Sequence, residues 1–181
     1  MKNFLLISFC CHALTLVFLL HSAGYRINLT DSMAHGVYQI VPGKPMRGDL
    51  ITFSLDEQNP YFSIALERHY LGWNNRPLLK VLVGLPGDTL QIDKEGISIN
   101  SELLPRSKAK PTDRHGKPLP IFLNSTVIPS GKCLALSTHS ENSFDGRYFG
   151  LVDLDRLQRV VPVLTIRLFK NKSPFFNSLT N

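Results

Sequence analysis

The feature that most limits what this chain can fold into lies near its start. From Phe4 to Leu20 no side chain is charged, and most positions are Leu, Phe, Ile, Val, Ala or Cys. Such a run reaches the lower end of the roughly 17–25 apolar residues a helix needs to cross a bilayer, and continuing to Tyr25 makes the span comfortable. Hydrocarbon leaves backbone N–H and C=O groups no partners but one another, so a helix is the conformation open to a single segment there. A cleaved signal peptide competes with this reading, but its apolar region is usually about 7–15 residues and ends at small side chains. His21-Ser22-Ala23 fits that poorly, and residues 1–25 are read as a retained membrane anchor. Lys2 and the terminal amine precede the run and Arg26 follows it, so the positive-inside rule favours a cytoplasmic amino end only weakly.

At 181 residues the chain is long enough for one domain with a sizeable core. Charged residues make up 19%, below the roughly 25% of ordinary soluble domains, which agrees with part of the chain avoiding water. The net charge of +6 raises the question of nucleic acid, but the basic residues are scattered and lack aromatic interleaving, so no direct nucleic-acid contact is expected. Attraction to anionic membrane lipid is the simpler consequence. Cys10 and Cys11 sit in the apolar run and Cys133 stands alone, leaving no disulfide within the domain. The six histidines and three cysteines show no ligand spacing, so neither a metal nor another cofactor is expected.

Beyond the anchor, short apolar runs alternate and are punctuated by Gly, Pro and Asn, which is how a mainly β domain reads. Strands are expected at Gly36-Ile40, Asp49-Phe53, Leu78-Val83, Thr89-Ile92, Ile97-Asn100, Lys132-Ser137, Phe149-Val152 and Val160-Arg167. Pro162 should push the last of these to an edge or split it. Leu85-Pro86-Gly87-Asp88 predicts a type II turn with the flanking strands reversing across it. Asn59-Pro60 predicts a helix start, leading through Phe62 to Tyr70. Leu104 to Pro120, rich in Lys and Arg, is read as a solvated loop.

Lys80 is the first residue that points to chemistry. In an extended chain Leu78, Lys80 and Leu82 share one face while Leu79, Val81 and Val83 share the other, so both faces are apolar and the lysine is placed in the interior. Burial disfavours the ammonium. A free lysine is neutral in only about one molecule in 2,500 at pH 7, whereas a three-unit drop, costing about 4 kcal/mol, leaves half of it a usable base. Alone, such a lysine also fits an edge position with its ammonium snorkelling into water. Ser32, soon after the anchor, supplies the missing half. A serine hydroxyl is a poor nucleophile until a positioned base takes its proton, and lysine can be that base. A rival Ser/His/Asp arrangement would draw on His35, His69, His115 or His139, but no nucleophile elbow accompanies them.

Several boxes of sequence resemble the type I signal peptidases, and among them the TraF-type peptidases of conjugative transfer systems. Asp31-Ser32-Met33-Ala34-His35-Gly36-Val37-Tyr38 is similar to the nucleophile segment, with Gly36 and Tyr38 at TraF-type positions. Arg47 to Phe53 resembles the next box, and Leu78 to Asp88 the lysine box. Asn142-Ser143-Phe144-Asp145-Gly146-Arg147-Tyr148-Phe149-Gly150 is similar to the last. The chain departs from the family at Ala34 or His35, where a proline follows the nucleophile, and it lacks a cysteine pair between Ser54 and Asn75.

The resemblance implies a single N-terminal transmembrane helix followed by a signal-peptidase/LexA-like antiparallel β domain, residues 26–170, and a tail, 171–181. It implies Ser32 as nucleophile and Lys80 as general base. Ser143 would bond the lysine, and Thr30 would help the Ser32 amide stabilise an oxyanion. Asp145 and Arg147, two apart on one face of an extended segment, could pair and hold the last box near Lys80, and Asp145 could take a more direct part in transpeptidation. The implied activity is serine endopeptidase cleavage of a precursor protein on the periplasmic side of a bacterial inner membrane. A pilin-like precursor is the implied partner, with possible cyclisation, alongside the conjugative transfer apparatus. The alternatives are a general signal peptidase for exported proteins and a catalytically silent membrane-anchored subunit.

Overall fold

The structure, a computed structural model, describes residues 2–71 and 77–166. The expected tail at 171–181, and the end of the last strand at Arg167, lie outside the described residues. In chain order the elements are α1 (Lys2–Ser22), β1 (Tyr25–Asn28), β2 (His35–Ile40), β3 (Leu50–Phe53), α2 (Phe62–Glu67), β4 (Leu78–Gly84), β5 (Thr89–Ile92), β6 (Ile97–Ile99) and β7 (Glu102–Leu103). They continue with β8 (Thr126–Val127), β9 (Lys132–Leu136), α3 (Gly146–Phe149), β10 (Val152–Asp153), a 3₁₀ turn (Leu154–Arg156) and β11 (Gln158–Ile166).

The stretch Phe4–Ser22 of α1 is long and apolar enough to cross a membrane, and none of its apolar window is buried against the rest of the chain. A helix that is hydrophobic all round and uncovered by protein is consistent with a membrane anchor. Only Ala23 and Gly24 separate it from β1.

The domain is mainly antiparallel β. One sheet of seven strands runs β1-β2-β11-β3-β4-β9-β10, and a second of four runs β7-β6-β5-β8. β4 lies inside the larger sheet with apolar groups on both sides. Val81 and Val83 join Leu134 and Leu136 in a core shared with Leu90, Ile97 and Ile99 of the smaller sheet. Leu78 and Leu82 face the other way, with Ile51, Phe53, Tyr148 and Phe149. Two apolar layers therefore sandwich the strand that carries Lys80.

Four expectations need correction. Leu85–Asp88 does form the turn, with Gly87 at φ 89° and Asp88 N–H bonded to Leu85 O at 3.1 Å. It does not return β5 alongside β4, however, and instead passes the chain to the second sheet. The Asp88 carboxylate accepts from Arg47 and Asn100, which flank β3 and β6, and so fastens that crossing from both sides. Of the strand expected at Phe149–Val152 only Val152 is one, opening β10, because Phe149 closes the helix Gly146–Phe149; the Asp145 side chain caps that helix by accepting from Arg147 N–H, and Gly150 at φ 82° ends it. β11 is not an edge strand. It lies between β2 and β3, but pairs with β3 only through Gln158 and Arg159, and its register with β2 shifts between Pro162 and Leu164. The missing N–H of Pro162 thus falls where β3 has ended and the other ladder slips. Lastly, α2 is shorter than expected, ending before His69 at φ 57°.

The basic stretch 104–120 is exposed from Arg114 to Lys117 but is not free elsewhere. Arg106 donates to His139 O at 2.9 Å, Lys110 to Asn142 Oδ1 at 2.7 Å, and Tyr70 to the Asp113 carboxylate. It straps the last sequence box from outside.

Candidate active site

Ser32 lies in the turn between β1 and β2, whose pairing sets Asn28 opposite Gly36. The turn folds around the Asn28 side chain, 8% exposed. Asn28 Nδ2 donates to the carbonyls of Thr30 (3.1 Å), Met33 (3.1 Å) and Ala34 (3.0 Å). Its Oδ1 accepts from Thr30 N–H at 3.2 Å and from Thr30 Oγ1 at 2.7 Å. Three converging carbonyls require the amide to present its NH₂ there, which fixes its orientation. Tyr38 adds a hydrogen bond to Ala34 O at 2.7 Å, and Met33 anchors the turn in the core. Thr30 Oγ1 stands 3.1 Å from Ser32 Oγ. His35 Nε2 bonds Asp31 Oδ1 at 3.0 Å across the base of the turn.

Lys80 is 2% exposed and alternates with Leu78 and Leu82 along β4, opposite Ile51 of β3. Burial pulls its pKa down from 10.5 to about 8; nearby Asp145 opposes the fall and Arg147 adds to it. Among the described residues no hydrogen bond or ion pair engages its ammonium. The apolar walls that make a buried lysine costly are what bring its neutral form within reach near physiological pH.

Asp145 and Arg147 pair, though not across an extended segment, since Asp145 is the extended cap of α3 and Arg147 is already helical. Both side chains are fully buried, with Arg147 Nε and Nη2 each 2.8 Å from a carboxylate oxygen. The rest of the guanidinium donates to the carbonyls of Arg106, Lys108, Glu141, Ser140 and Ser143. Planar, five-donor geometry is what allows one side chain to gather so many acceptors. Burial tends to lower the Arg147 pKa, and the Asp145 carboxylate outweighs that and holds it above its ordinary value.

The site therefore gathers Thr30 and Ser32 in one turn, and Asp145 and Arg147 close enough to bias Lys80. It does not place the Ser143 hydroxyl on the lysine: that group is 3% exposed and reaches Phe144 O at 3.5 Å. Nor is Ser32 in hydrogen-bond contact with Lys80. Two residues not singled out from the sequence touch the turn. One is Asn28, whose signal was an Asn just ahead of a turn. The other is Ser137, whose hydroxyl donates to Ser32 O and whose N–H donates to Asp145 Oδ2 at 2.9 Å. A serine closing a strand carries no signal of its own.

Elsewhere, a groove of about 640 Å³ lies among Phe53, Phe122, Phe149 and Arg156 and contains none of these residues. Among the described residues no group of three His, Cys, Asp or Glu side chains could hold a metal ion.

Comparison with known proteins points the same way as the boxes. The Peptidase S26 family, described as signal peptidase, matches residues 1–164. A plasmid transfer protein TraF of Escherichia coli is 32% identical over 152 residues, covering 80% of this chain and 85% of its own. A conjugal transfer protein TraF of Agrobacterium tumefaciens (strain 15955) is 33% identical over 152 residues, covering 80% and 84%. A signal peptidase I of Leptolyngbya laminosa is 28% identical over 113 residues, covering 60% of this chain and 46% of its own.

Proposed function

The chain belongs to the signal peptidase S26 family, and from that premise we propose that it is a membrane-bound serine endopeptidase maturing a pilin precursor for conjugative DNA transfer. Its substrate meets it at the periplasmic surface of the inner membrane. Ser32 Oγ attacks the scissile carbonyl while its proton passes to neutral Lys80. Negative charge on the carbonyl oxygen is met by Ser32 N–H and the Thr30 hydroxyl. Collapse of the tetrahedral intermediate breaks the C–N bond, Lys80 returns the proton to the leaving amine, and an ester to Ser32 remains. Water resolves it to a linear product, or the pilin's own terminal amine resolves it to a cyclic one.

The observation that carries this reading is Lys80, 2% exposed between Leu78 and Leu82 on an interior strand, its pKa held at about 8. A lysine with a pKa near the working pH is a competent general base, and a structural role would gain nothing from that burial. Conjugative transfer is favoured over general preprotein processing by coverage. The E. coli TraF relative aligns over 85% of its length and the L. laminosa signal peptidase I over 46%.

Co-expression of the wild type, Ser32→Ala or Lys80→Ala with the propilin of the same transfer system tests the proposal through the mass of the pilin. The wild type yields mature pilin and both variants leave the precursor intact. Unchanged processing by the variants overturns the mechanism. A product lighter than the linear mature chain by one water marks cyclisation.

A further inference from the structure

We propose that Ser137 is a positioning residue for the nucleophile, transmitting the rigidity of the buried Asp145–Arg147 pair to Ser32. The inference rests on the reading of Ser32 as nucleophile and Lys80 as base.

Ser137 follows directly on β9 and is 2% exposed. Its hydroxyl has three neighbours: Ser32 O, and the N–H groups of His139 and Ser140, each at 3.2 Å. A hydroxyl carries one proton and two lone pairs. The two N–H groups can only donate, so they occupy the lone pairs, and the proton is committed to the Ser32 carbonyl. Every bonding capacity of the group is used, and its direction is fixed without reference to a hydrogen position.

On its backbone side Ser137 is held as firmly. Its N–H donates to Asp145 Oδ2 at 2.9 Å, and the same carboxylate is gripped by Arg147 through Nε and Nη2. An unbroken path therefore runs from the guanidinium through the carboxylate and Ser137 to the carbonyl of Ser32, joining parts of the chain separated by 105 residues. The β4–β9 ladder adds the geometric point. It pairs Leu82 with Ala135 and Val81 with Leu136. Continued by one residue, the same register sets Ser137 opposite Lys80, so the residue across from the base is the one that grips the nucleophile's backbone.

Asn28 fixes the turn around Thr30, Met33 and Ala34, but makes no hydrogen bond with Ser32 itself. The Ser137 bond supplies that contact. It fixes the peptide plane after Ser32 and hence the direction in which the Cα–Cβ bond presents the hydroxyl. Displacing a reacting group by roughly 1 Å costs on the order of 100-fold in rate.

The test uses full-length enzyme in detergent with an internally quenched peptide spanning the cleavage site of the propilin. Ser137→Ala, Ser137→Thr and Ser32→Ala are compared with the wild type, and kcat is expressed per folded molecule from each variant's melting curve. Ser137→Ala is expected to lose about 100-fold in kcat, with KM and the pH midpoint of kcat/KM unchanged. Ser137→Thr, which keeps the hydroxyl, is expected to recover to within about tenfold of wild type. A kcat for Ser137→Ala within about twofold of wild type, a loss confined to KM, or a loss that Ser137→Thr does not relieve overturns the inference. Retained turnover in Ser32→Ala overturns the parent reading instead. A dead Ser32→Ala beside a fully active Ser137→Ala overturns only the role of Ser137.

Discussion

Thr30 accepts a hydrogen bond from Ser32. The two hydroxyl oxygens are 3.1 Å apart, and Thr30 Oγ1 is also 2.7 Å from Asn28 Oδ1, which has no proton to offer. The single proton of the threonine therefore belongs to Asn28, and the contact with Ser32 can be made only with the serine as donor. In this arrangement the Ser32 proton points along the turn, to Thr30. In the proposed mechanism Ser32 turns toward Lys80 and the Thr30 proton leaves Asn28 for the developing oxyanion.

Removing that proton should therefore cost turnover and leave substrate binding alone. Thr30→Val is expected to lower kcat by about 100- to 1,000-fold, the cost of one oxyanion donor, with KM within about twofold. Thr30→Ser should stay within about tenfold of wild type, because it keeps the hydroxyl. Steady-state kinetics on the quenched peptide distinguish the two.

The pH dependence follows from Lys80. With burial holding its pKa at about 8, kcat/KM should climb about tenfold per pH unit below that value and level off above it. A pH–rate profile with its acid limb centred near 6 instead would remove Lys80 from the role of base.

Lys80 also costs stability, with a definite sign. Its folded-state pKa, about 8, lies below the ordinary 10.5, so between these values the unfolded chain binds more protons and stability from this group rises with pH. Below about 8 the whole penalty is present, on the order of 3 kcal/mol. Lys80→Met should be inactive yet more stable than wild type at pH 7 by an amount of that order, with the gap closing toward pH 10.5. Denaturant unfolding of both proteins at pH 7 and pH 10 measures it.

Breaking the buried pair should act in the opposite sense. Arg147→Met leaves the fully buried Asp145 carboxylate without its counter-charge and strands the carbonyls the guanidinium gathered, for a loss of about 3–5 kcal/mol. Adding Asp145→Leu should restore part of that loss while leaving activity low. Melting temperatures of the single and double variants, read against activity, separate the two effects.

Gly36 is required by contact. A Cβ there would meet Leu164 O at 2.1 Å and Thr165 Cα at 2.9 Å, both backbone atoms of the neighbouring strand. β2 and β11 cannot keep their ladder around it, so Gly36→Ala should destabilise the fold by more than about 2 kcal/mol and loosen the Ser32 turn with it. Thermal unfolding and turnover should fall together.

How much of this was legible in the sequence depended on whether the determining interaction was local. Thr89–Ile92 followed from alternation, one face exposed and the other buried, and the interior placement of Lys80 from apolar residues on both faces of its run, since burial leaves a direct mark on residue order. β1, β7, β8 and β10, of two to four residues each, carry too little alternation to declare themselves. The segment Asp145–Arg147 read as extended and Phe149 as the start of a strand, while the Asp145 cap and the embrace of Arg147 by distant carbonyls make Gly146–Phe149 a helix. At the site, residue types announced Ser32 and Lys80. What holds the Ser32 turn was hidden: Asn28 and Ser137 act through backbone carbonyls, which look alike in every sequence.

The 105-residue separation between Ser137 and the carbonyl it holds has a consequence for biosynthesis. Chains grow from the amino end, and a domain folds as a unit once enough of it has been made. Ser32 and its turn are made early, whereas Ser137, Asp145 and Arg147 arrive only with the last third of the molecule. Until then the Ser32 carbonyl lacks its Ser137 partner, and β4 lacks the β9 strand beside it. With Ser32 and Lys80 acting as proposed, a chain assembled in this order stays inactive until almost the whole domain has been made.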